Sequence, residues 1–314
     1  MPDPSLIELA PGIHYLPGAV NVGVLELPGF TNDGGGSLLI DSGSDKDHAK
    51  RILKACRASS TQTGNLEPRA ILNTHSHADH YGGNAHLQES LQIPAYAPIF
   101  EEAIIRYPIL ESIYLWNGAR PPKALQNKFL MGGASGTKIL NEPGPREILG
   151  LELDLLDVAG HAHQQFAVRC RDVLFAADAV FGPSILEKHA LPFTVDVAHQ
   201  REAIDALEMY AHEHSVRLVV PGHGDPTEDI AGLCAANITA LDRAEHAILT
   251  ACAQAGTLPD ILEKTCNTLG LEMKNLGSYV LNQTAVLAFL TDLEEREMIV
   301  SSIAGNRLTW RAVH

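Results

Sequence analysis

The sequence predicts a mixed α and β (α+β) fold in which two halves face one another and a helical segment follows. Two strand-like apolar runs, residues 38–41 and 173–178, each end in an acidic residue at a corresponding point, which indicates the two halves. After Pro226, long helical stretches replace the short apolar runs, which indicates the C-terminal segment. We therefore expect polar loops from both halves to meet along a shared edge.

The N-terminal half reads as short strands divided by Pro and Gly, with helices between the later strands. One helix, over residues 45–58, has Ile52, Leu53 and Cys56 on one face. The predicted strands are residues 13–16, 22–27, 37–41, 69–73 and 93–97, and a further helix is predicted over residues 84–90.

Residues 99–135 interrupt this pattern. A helix over residues 100–107 is broken at Pro108, and Tyr114, Trp116 and Phe129 bring large apolar groups into a segment that is rich in Lys, Arg and Pro. Two interpretations stay open. The segment is either a packed surface excursion or a cap that shapes a substrate pocket, because long insertions in compact domains are often lids or binding loops.

The second half repeats the βα character of the first. Strands are predicted over residues 152–159, 166–169, 173–177 and 216–220, and a helix over residues 201–212. The first of these strands runs into Gly160-His161, and the last runs into Pro221-Gly222-His223.

The C-terminal segment reads as helices followed by a hairpin. Helices are predicted over residues 231–255, 258–269 and 278–293, and strands over 298–303 and 308–313 flank the turn signal Gly305-Asn306. This order resembles a winged-helix module and predicts a division into residues 1–227 and 228–314. Because residues 228–314 are not basic, we expect the second domain to pack on the first or to form a homodimer, and not to bind DNA.

Composition sets limits on the partners. The chain has 314 residues, is 45% hydrophobic and carries a formal net charge of −15, so nucleic acid would be repelled. No stretch of about 18 apolar residues suggests a membrane span, and residues 1–4 show no secretory signal. Five scattered cysteines without CxxC spacing are typical of reduced, buried thiols. We therefore expect a cytoplasmic protein that acts on a small molecule, without a nucleic-acid or membrane partner.

A dense group of potential metal ligands follows the apolar run at residues 70–72. His75, His77, Asp79 and His80 fall within six residues, although the whole chain has only 15 histidines. A strand that ends in a tight loop can direct all four side chains at one point. Imidazole and carboxylate groups are the usual ligands of zinc and of similar divalent metals.

This loop resembles the HxHxDH signature of the metallo-β-lactamase fold superfamily. Gly160-His161, the run Leu174-Phe175-Ala176-Ala177-Asp178 and Pro221-Gly222-His223-Gly224 resemble the later metal motifs of that superfamily in order and context. The run Ser37-Leu38-Leu39-Ile40-Asp41-Ser42-Gly43 resembles its second-strand motif. The resemblance implies a four-layer αββα sandwich for the catalytic domain, behind which small helical domains occur in some members.

The resemblance also implies two metal ions per chain, with zinc as the first expectation and iron or manganese as alternatives. His75, His77 and His161 would hold one ion, Asp79, His80 and His223 the other, and Asp178 would bridge them. A metal-bound hydroxide would attack the substrate, and Asp79 would be catalytic because it orients that hydroxide. Asp41 would be either a carboxylate that fixes a ligand imidazole, or a turn or N-cap acid for the helix at residue 45.

Two departures from the family pattern concern the loops around these ligands. After His161 a Thr and a Gly-Ser pair are common in the superfamily, but here Ala162-His163-Gln164-Gln165 follows. Before Asp178 a Gly is usual, but here Ala177 stands. Three residues are candidates for contact with the substrate: His163, His189 and Phe193.

The leading function is hydrolysis of a small ester, thioester or lactone by a dinuclear metal centre. Two alternatives stay open. A phosphodiesterase or ribonuclease-like activity is suggested by the helical tail, and a persulfide dioxygenase-like activity with one iron is known among superfamily members with this signature. All seven ligand positions are filled, which argues against a non-enzymatic role.

Overall fold

The structure is a computed structural model that describes residues 5–28, 35–63 and 65–313, except for the side chains of residues 60–63. Residues 1–4, on which the predicted lack of a secretory signal depends, lie outside the described residues. Each half begins with consecutive strands, and helices follow between its later strands.

The first sheet carries the N-terminal half. Among the described residues it has seven strands in the order β1 to β7, of which β1 to β4 are antiparallel and β4 to β7 are parallel neighbours. The strands are Ile7–Ala10, Ile13–Leu16, Val22–Glu26, Ser37–Ile40, Pro68–Leu72, Ala95–Pro98 and Lys138–Leu140. The helices α1 to α5 are Lys46–Thr63, Ala78–Tyr81, Asn84–Leu91, Ile99–Arg106 and Ile109–Leu115, and a short 3₁₀ helix follows at Lys123–Leu125.

The second sheet carries the second half. In the part of the chain that the structure describes, it has five strands in the order β12-β11-β10-β9-β8, with a parallel pair at β11 and β12. Strands β8 to β12 are Gly144–Ile148, Leu151–Asp157, Phe166–Cys170, Val173–Ala177 and Leu218–Pro221, and helices α6 and α7 are Pro183–Lys188 and Val197–Glu213.

Apolar side chains hold the layers together. Leu25 and Leu72 of the first sheet meet Phe166 and Phe175 of the second in one buried cluster between the sheets. Helices α1 and α3 cover the outer face of the first sheet with a second cluster, and α7 covers the outer face of the second sheet. The chain therefore forms the predicted four-layer αββα sandwich.

The C-terminal segment has the predicted order of elements. Its helices α8 to α10 are Ile230–Ala251, Leu258–Thr268 and Leu276–Glu295, and its hairpin strands β13 and β14 are Ile299–Ala304 and Arg307–Ala312. Leu241, Ile248 and Phe289 share one buried cluster with Leu207 of α7 and Val219 of β12. The tail thus packs on the second sheet and α7, while the domain division at residue 227 stays a prediction. None of the described helices is long and apolar enough to cross a membrane.

Several elements escaped the sequence analysis. Strands β1, β7 and β8 are short and mostly exposed or half-buried, so they lack a strong apolar pattern. Helices α5 and α6 have only seven and six residues, too few to establish a helical period.

Candidate metal centre

The HxHxDH loop leaves the end of β5 and returns through the short helix α2. Its backbone is held against the neighbouring loop at residues 42–44, because Gly82 and Gly83 permit a close approach. A Cβ at either glycine would lie 2.2 Å from a backbone oxygen, that of Ser44 or Ser42 respectively. Only glycine fits at these two positions.

Three imidazoles form the first group of ligand candidates. His75 Nε2 lies 3.1 Å from His77 Nδ1, and His77 Nδ1 lies 2.9 Å from His161 Nε2. His75 and His77 come from the HxHxDH loop and His161 from the turn after β9, so two separate segments converge. These three residues can supply nitrogen ligands to one ion.

A second group lies beside the first. His223 Nε2 lies 3.2 Å from Asp79 Oδ2, and His80 joins these two within ligand distance. Asp178 follows β11 and stands between the groups. Its Oδ1 lies 3.4 Å from His80 Nε2, and its Oδ2 lies 3.4 Å from His161 Nε2 and 3.3 Å from His223 Nε2. The structure thus brings all seven predicted ligands together.

Observations on buried polar atoms show that these residues fit a cation. His80 Nε2 and Asp178 Oδ1 are buried without a hydrogen-bond partner in the described structure, although buried polar atoms normally have one. Gly222 leaves the space around Asp178 open, since a Cβ there would lie 2.0 Å from Asp178 Oδ1. A set of imidazole and carboxylate groups of this kind matches the ligands that zinc prefers.

The pKa values of the centre reflect a high local charge. Burial lowers the pKa of His77 to about 3 and holds that of His75 well below its ordinary value. Burial would also lower the pKa of His223, but Asp178 and Asp79 raise it to about 10, and Asp178 and Asp41 likewise raise that of His80. The carboxylates therefore favour a positive charge at the position of these two imidazoles.

The outer nitrogens of the ligand imidazoles also have partners. His161 Nδ1 donates to the carbonyl oxygen of Phe193 at 2.9 Å, and His223 Nδ1 donates to the carbonyl of Ala19. Such partners fix the tautomer and leave the other nitrogen free for the metal.

Asp41 is the central partner of this outer layer. Its Oδ2 accepts hydrogen bonds from His80 Nδ1 at 2.7 Å and from Thr74 Oγ1 at 2.9 Å, and its Oδ1 accepts from the Thr74 amide at 2.9 Å. Thr74 Oγ1 in turn accepts from His75 Nδ1 at 3.0 Å. Of the two interpretations of Asp41, the structure supports the carboxylate that fixes an imidazole, because Asp45 caps α1 instead.

Two buried glutamates from α4 and α5 were missed by the sequence analysis. Glu101 Oε2 accepts from the amide and the hydroxyl of Ser76 at 2.9 and 2.5 Å, and so holds the HxHxDH loop. Glu111 Oε1 accepts from the Tyr114 hydroxyl at 2.6 Å and lies 3.9 Å from His77 Nε2. Burial raises the pKa of Glu111 to about 8. Both residues lie in the 99–135 interruption, where no sequence motif marks them.

A cavity of about 460 Å³ opens directly above the ligands. Its floor includes His77, Asp79 and Asp178. Its walls come from the 99–135 segment, from the loop after β11 and from α10. Of the two interpretations of residues 99–135, this arrangement supports the cap, since Glu111 and Leu130 line the cavity.

The three candidate substrate contacts have different positions. His189 and Phe193 line the cavity. His163 is exposed and does not line the cavity. Its ring centroid lies 6.0 Å from that of Tyr114. Of the three candidates, the structure therefore brings His189 and Phe193, but not His163, to the cavity.

Ala177 has a backbone conformation that explains the glycine usual at that position. Its φ is +49°, in the left-handed region that side chains with a Cβ rarely adopt, at a cost of about 1 kcal/mol. Asp41 has a φ of +64° at the matching end of β4. The chain thus has a left-handed backbone conformation at the ends of both β4 and β11.

Comparison with known proteins identifies several relatives that are similar in sequence to part or most of this chain. The chain is 28% identical to a hydroxyacylglutathione hydrolase of Nitrosomonas europaea over 48% of each chain, and so spans about half the length of that relative. It is 27% identical to a hydroxyacylglutathione hydrolase of Xylella fastidiosa, over 77% of this chain and 80% of the relative. It is also 26% identical to a probable metallo-hydrolase of Methanocaldococcus jannaschii, over 49% of this chain and 69% of the relative.

Solved structures share the fold along the whole chain. A beta-lactamase domain protein from Burkholderia ambifaria superimposes with a TM-score of 0.73 at 18% identity, over 98% of this chain and 93% of that one. A metallo-beta-lactamase family protein from Thermus thermophilus has the same TM-score of 0.73 at 19% identity, over 98% of this chain and 100% of that one. The family model of the metallo-beta-lactamase superfamily matches residues 15–223. The chain therefore belongs to the metallo-beta-lactamase superfamily.

Proposed function

We propose that this protein hydrolyses a small ester, thioester or lactone with two metal ions held by the seven clustered residues. The observation that carries the proposal is the pair of ligand groups on either side of Asp178 at the floor of a cavity. His75, His77 and His161 would hold one ion, and Asp79, His80 and His223 the other. Zinc is the first expectation, because the ligands are mostly imidazoles with a few carboxylates.

When bound, such ions act as Lewis acids and lower the pKa of a water molecule toward neutrality. The chain supplies the remaining requirements. The Asp79 carboxylate faces the cavity from the ligand floor and can accept a hydrogen bond from the attacking water, which fixes its direction. In the metal-free protein, the charges of His80 and His223 overcome the effect of burial and hold the pKa of Asp79 below its ordinary value. A bound cation would favour the ionised carboxylate in the same way, so Asp79 would remain an acceptor near neutral pH.

Outer residues support this role by holding the ligands still. Asp41 orients His80 directly and His75 through Thr74. Glu101 holds the loop that carries the ligands. The cavity walls exclude bulk water from three sides, which strengthens each polar interaction with the substrate.

The relatives support an acyl group as the substrate, since several of the matched proteins carry the name hydroxyacylglutathione hydrolase. The charge of the chain supports a small molecule and argues against a nucleic acid. The net charge is −15, and affinity for nucleic acid depends on cationic contacts to phosphate.

Metal analysis of protein purified without added metal tests the proposal together with a substrate panel. We expect two zinc ions per chain and turnover of thioesters, aryl esters or lactones. A single iron per chain with oxygen-dependent turnover of a persulfide would instead favour the dioxygenase alternative. Cleavage of a phosphodiester, together with salt-sensitive micromolar binding of RNA in an anisotropy titration at ~150 mM salt, would favour the nuclease alternative.

A further inference from the structure

The cavity above the ligands is mostly apolar. Phe181 and Leu186 contribute from the loop and helix after β11, and Leu130 contributes from the cap. Leu281 and Ala285 of α10 close the third side, with the polar side chains of Ser278 and Asn282 from the same helix. Its volume of about 460 Å³ is in the range of pockets that bury most of a small organic ligand.

Apart from the ligand residues of its floor, the same cavity has few positively charged side chains. Lys128 is the only Lys or Arg among the described residues that line it, and Lys128 Nζ lies 3.1 Å from Asp45 Oδ2. Glu111 adds a buried carboxyl group to the lining. A carrier with two carboxylates, such as glutathione, would therefore leave anionic groups without cationic partners in an acidic protein.

We propose that the preferred substrate carries an uncharged, apolar hydrocarbon chain next to the scissile ester or thioester bond, and that α10 limits the length of this chain. The inference rests on the proposed function for the reaction itself. The hydrocarbon chain lies along Phe181, Leu186 and Leu281, while the scissile group meets the ligand floor. Glutathione thioesters, which the names of the relatives suggest, are poor substrates.

The role of α10 follows from how it is held. Val280 of α10 is buried in one cluster with Leu115, Leu125 and Leu130 of the cap, so the helix and the cap form one wall. Ala285, which is 1% exposed, lies where α10 reaches the cavity. A helix from the C-terminal segment thereby contributes to the specificity of a site whose ligands all lie before residue 224.

The first test is a chain-length series with the metal-loaded protein. We would measure kcat/KM for acetyl, butyryl, hexanoyl and octanoyl thioesters of N-acetylcysteamine, and for acetate esters of alcohols of matching length. We expect kcat/KM to rise about two- to fourfold with each methylene group in one series, until the cavity is filled. The series that responds identifies which side of the scissile bond carries the apolar chain. A lactoyl thioester of glutathione should be turned over at least about tenfold less efficiently than the lactoyl thioester of N-acetylcysteamine.

Direct binding separates this inference from the proposed function. Calorimetric titration of octanamide, a neutral analogue without a labile ester, should give tighter binding than acetamide and a negative heat-capacity change. Binding of octanamide without turnover of any ester would contradict the proposed function and support the inference. Turnover that does not depend on chain length, with equal binding of both amides, would overturn the inference and leave the proposed function intact.

A pair of variants tests α10. Leu281→Ala shortens a side chain of the wall and so enlarges the cavity. The preferred chain should become longer, and kcat/KM for the chain that wild type prefers should fall about three- to tenfold. Leu287→Ala removes the same groups from a half-buried residue of the same helix that does not line the cavity. This control should keep the wild-type length preference. An unchanged preference in Leu281→Ala, or an equal change in both variants, would refute the role of α10.

Discussion

Replacement of Asp41 by Asn should weaken metal binding although Asp41 is not itself one of the ligand candidates. Its two oxygens accept three hydrogen bonds, from the Thr74 amide, the Thr74 hydroxyl and His80 Nδ1. An asparagine amide keeps only one acceptor oxygen, so in either orientation its NH₂ group faces a donor. If that donor is His80 Nδ1–H, the imidazole must change tautomer, which moves a proton onto the Nε2 that faces Asp178.

The expected magnitude follows from the role of such outer partners. Loss of a hydrogen-bonded partner of a ligand typically weakens metal affinity by about 10- to 100-fold, or about 1.4–2.7 kcal/mol. The larger effect should fall on the ion held by Asp79, His80 and His223. The ion held by His75, His77 and His161 should be affected less, because Asp41 reaches His75 only through Thr74.

Competition with a chromophoric chelator measures both affinities without the need for a substrate. Asp45→Asn is a matched control on the following turn, since Asp45 caps α1 and pairs with Lys128 without contact to the ligands. The control should change zinc affinity by less than about twofold. Circular dichroism of the metal-free proteins would show that both variants fold. If Asp41→Asn bound both ions within about twofold of wild type, the assigned role of Asp41 would be wrong.

Three further predictions concern the site and the tail. Asp79→Ala should lower kcat/KM at least ~10²-fold on any substrate found, with an unchanged circular dichroism spectrum, and a loss of less than about threefold would contradict the mechanism. Because burial raises the pKa of Glu111 from 4.5 to about 8, the folded metal-free protein binds this proton more tightly than the unfolded chain, and its free energy of unfolding should fall as pH rises between these values. In wild type, the free energy of unfolding from urea denaturation should fall by up to about 1.4 kcal/mol per pH unit, and Glu111→Gln should remove this pH dependence. The same pH dependence in both proteins would refute the raised pKa of Glu111. A chain that ends at Glu228 loses Leu241, Ile248 and Phe289 from a shared core, so size-exclusion chromatography should show aggregates, whereas a monomer with wild-type melting would show that the tail is not needed for folding.

The sequence by itself determined the parts of this protein that depend on local spacing. His75, His77, Asp79 and His80 lie in one loop after one strand, so their proximity follows from chain connectivity alone. The apolar runs at β4, β5, β10 and β11 are long enough to mark strands, and the helices of the tail are long enough to show their period. Resemblance to a family added His161, Asp178 and His223, which come from distant segments.

The tertiary structure decided what depends on contacts between segments far apart in the sequence. Glu111 becomes important only because α5 folds over His77, and no motif around residue 111 indicates that contact. His163 follows a predicted ligand closely, yet it is exposed and does not line the cavity. Leu281 and Ala285 read as ordinary apolar positions of a helix until packing places them above the metal ligands. A sequence pattern predicts which side chains of a short segment can lie close together, whereas the shape of a cavity depends on how whole layers pack.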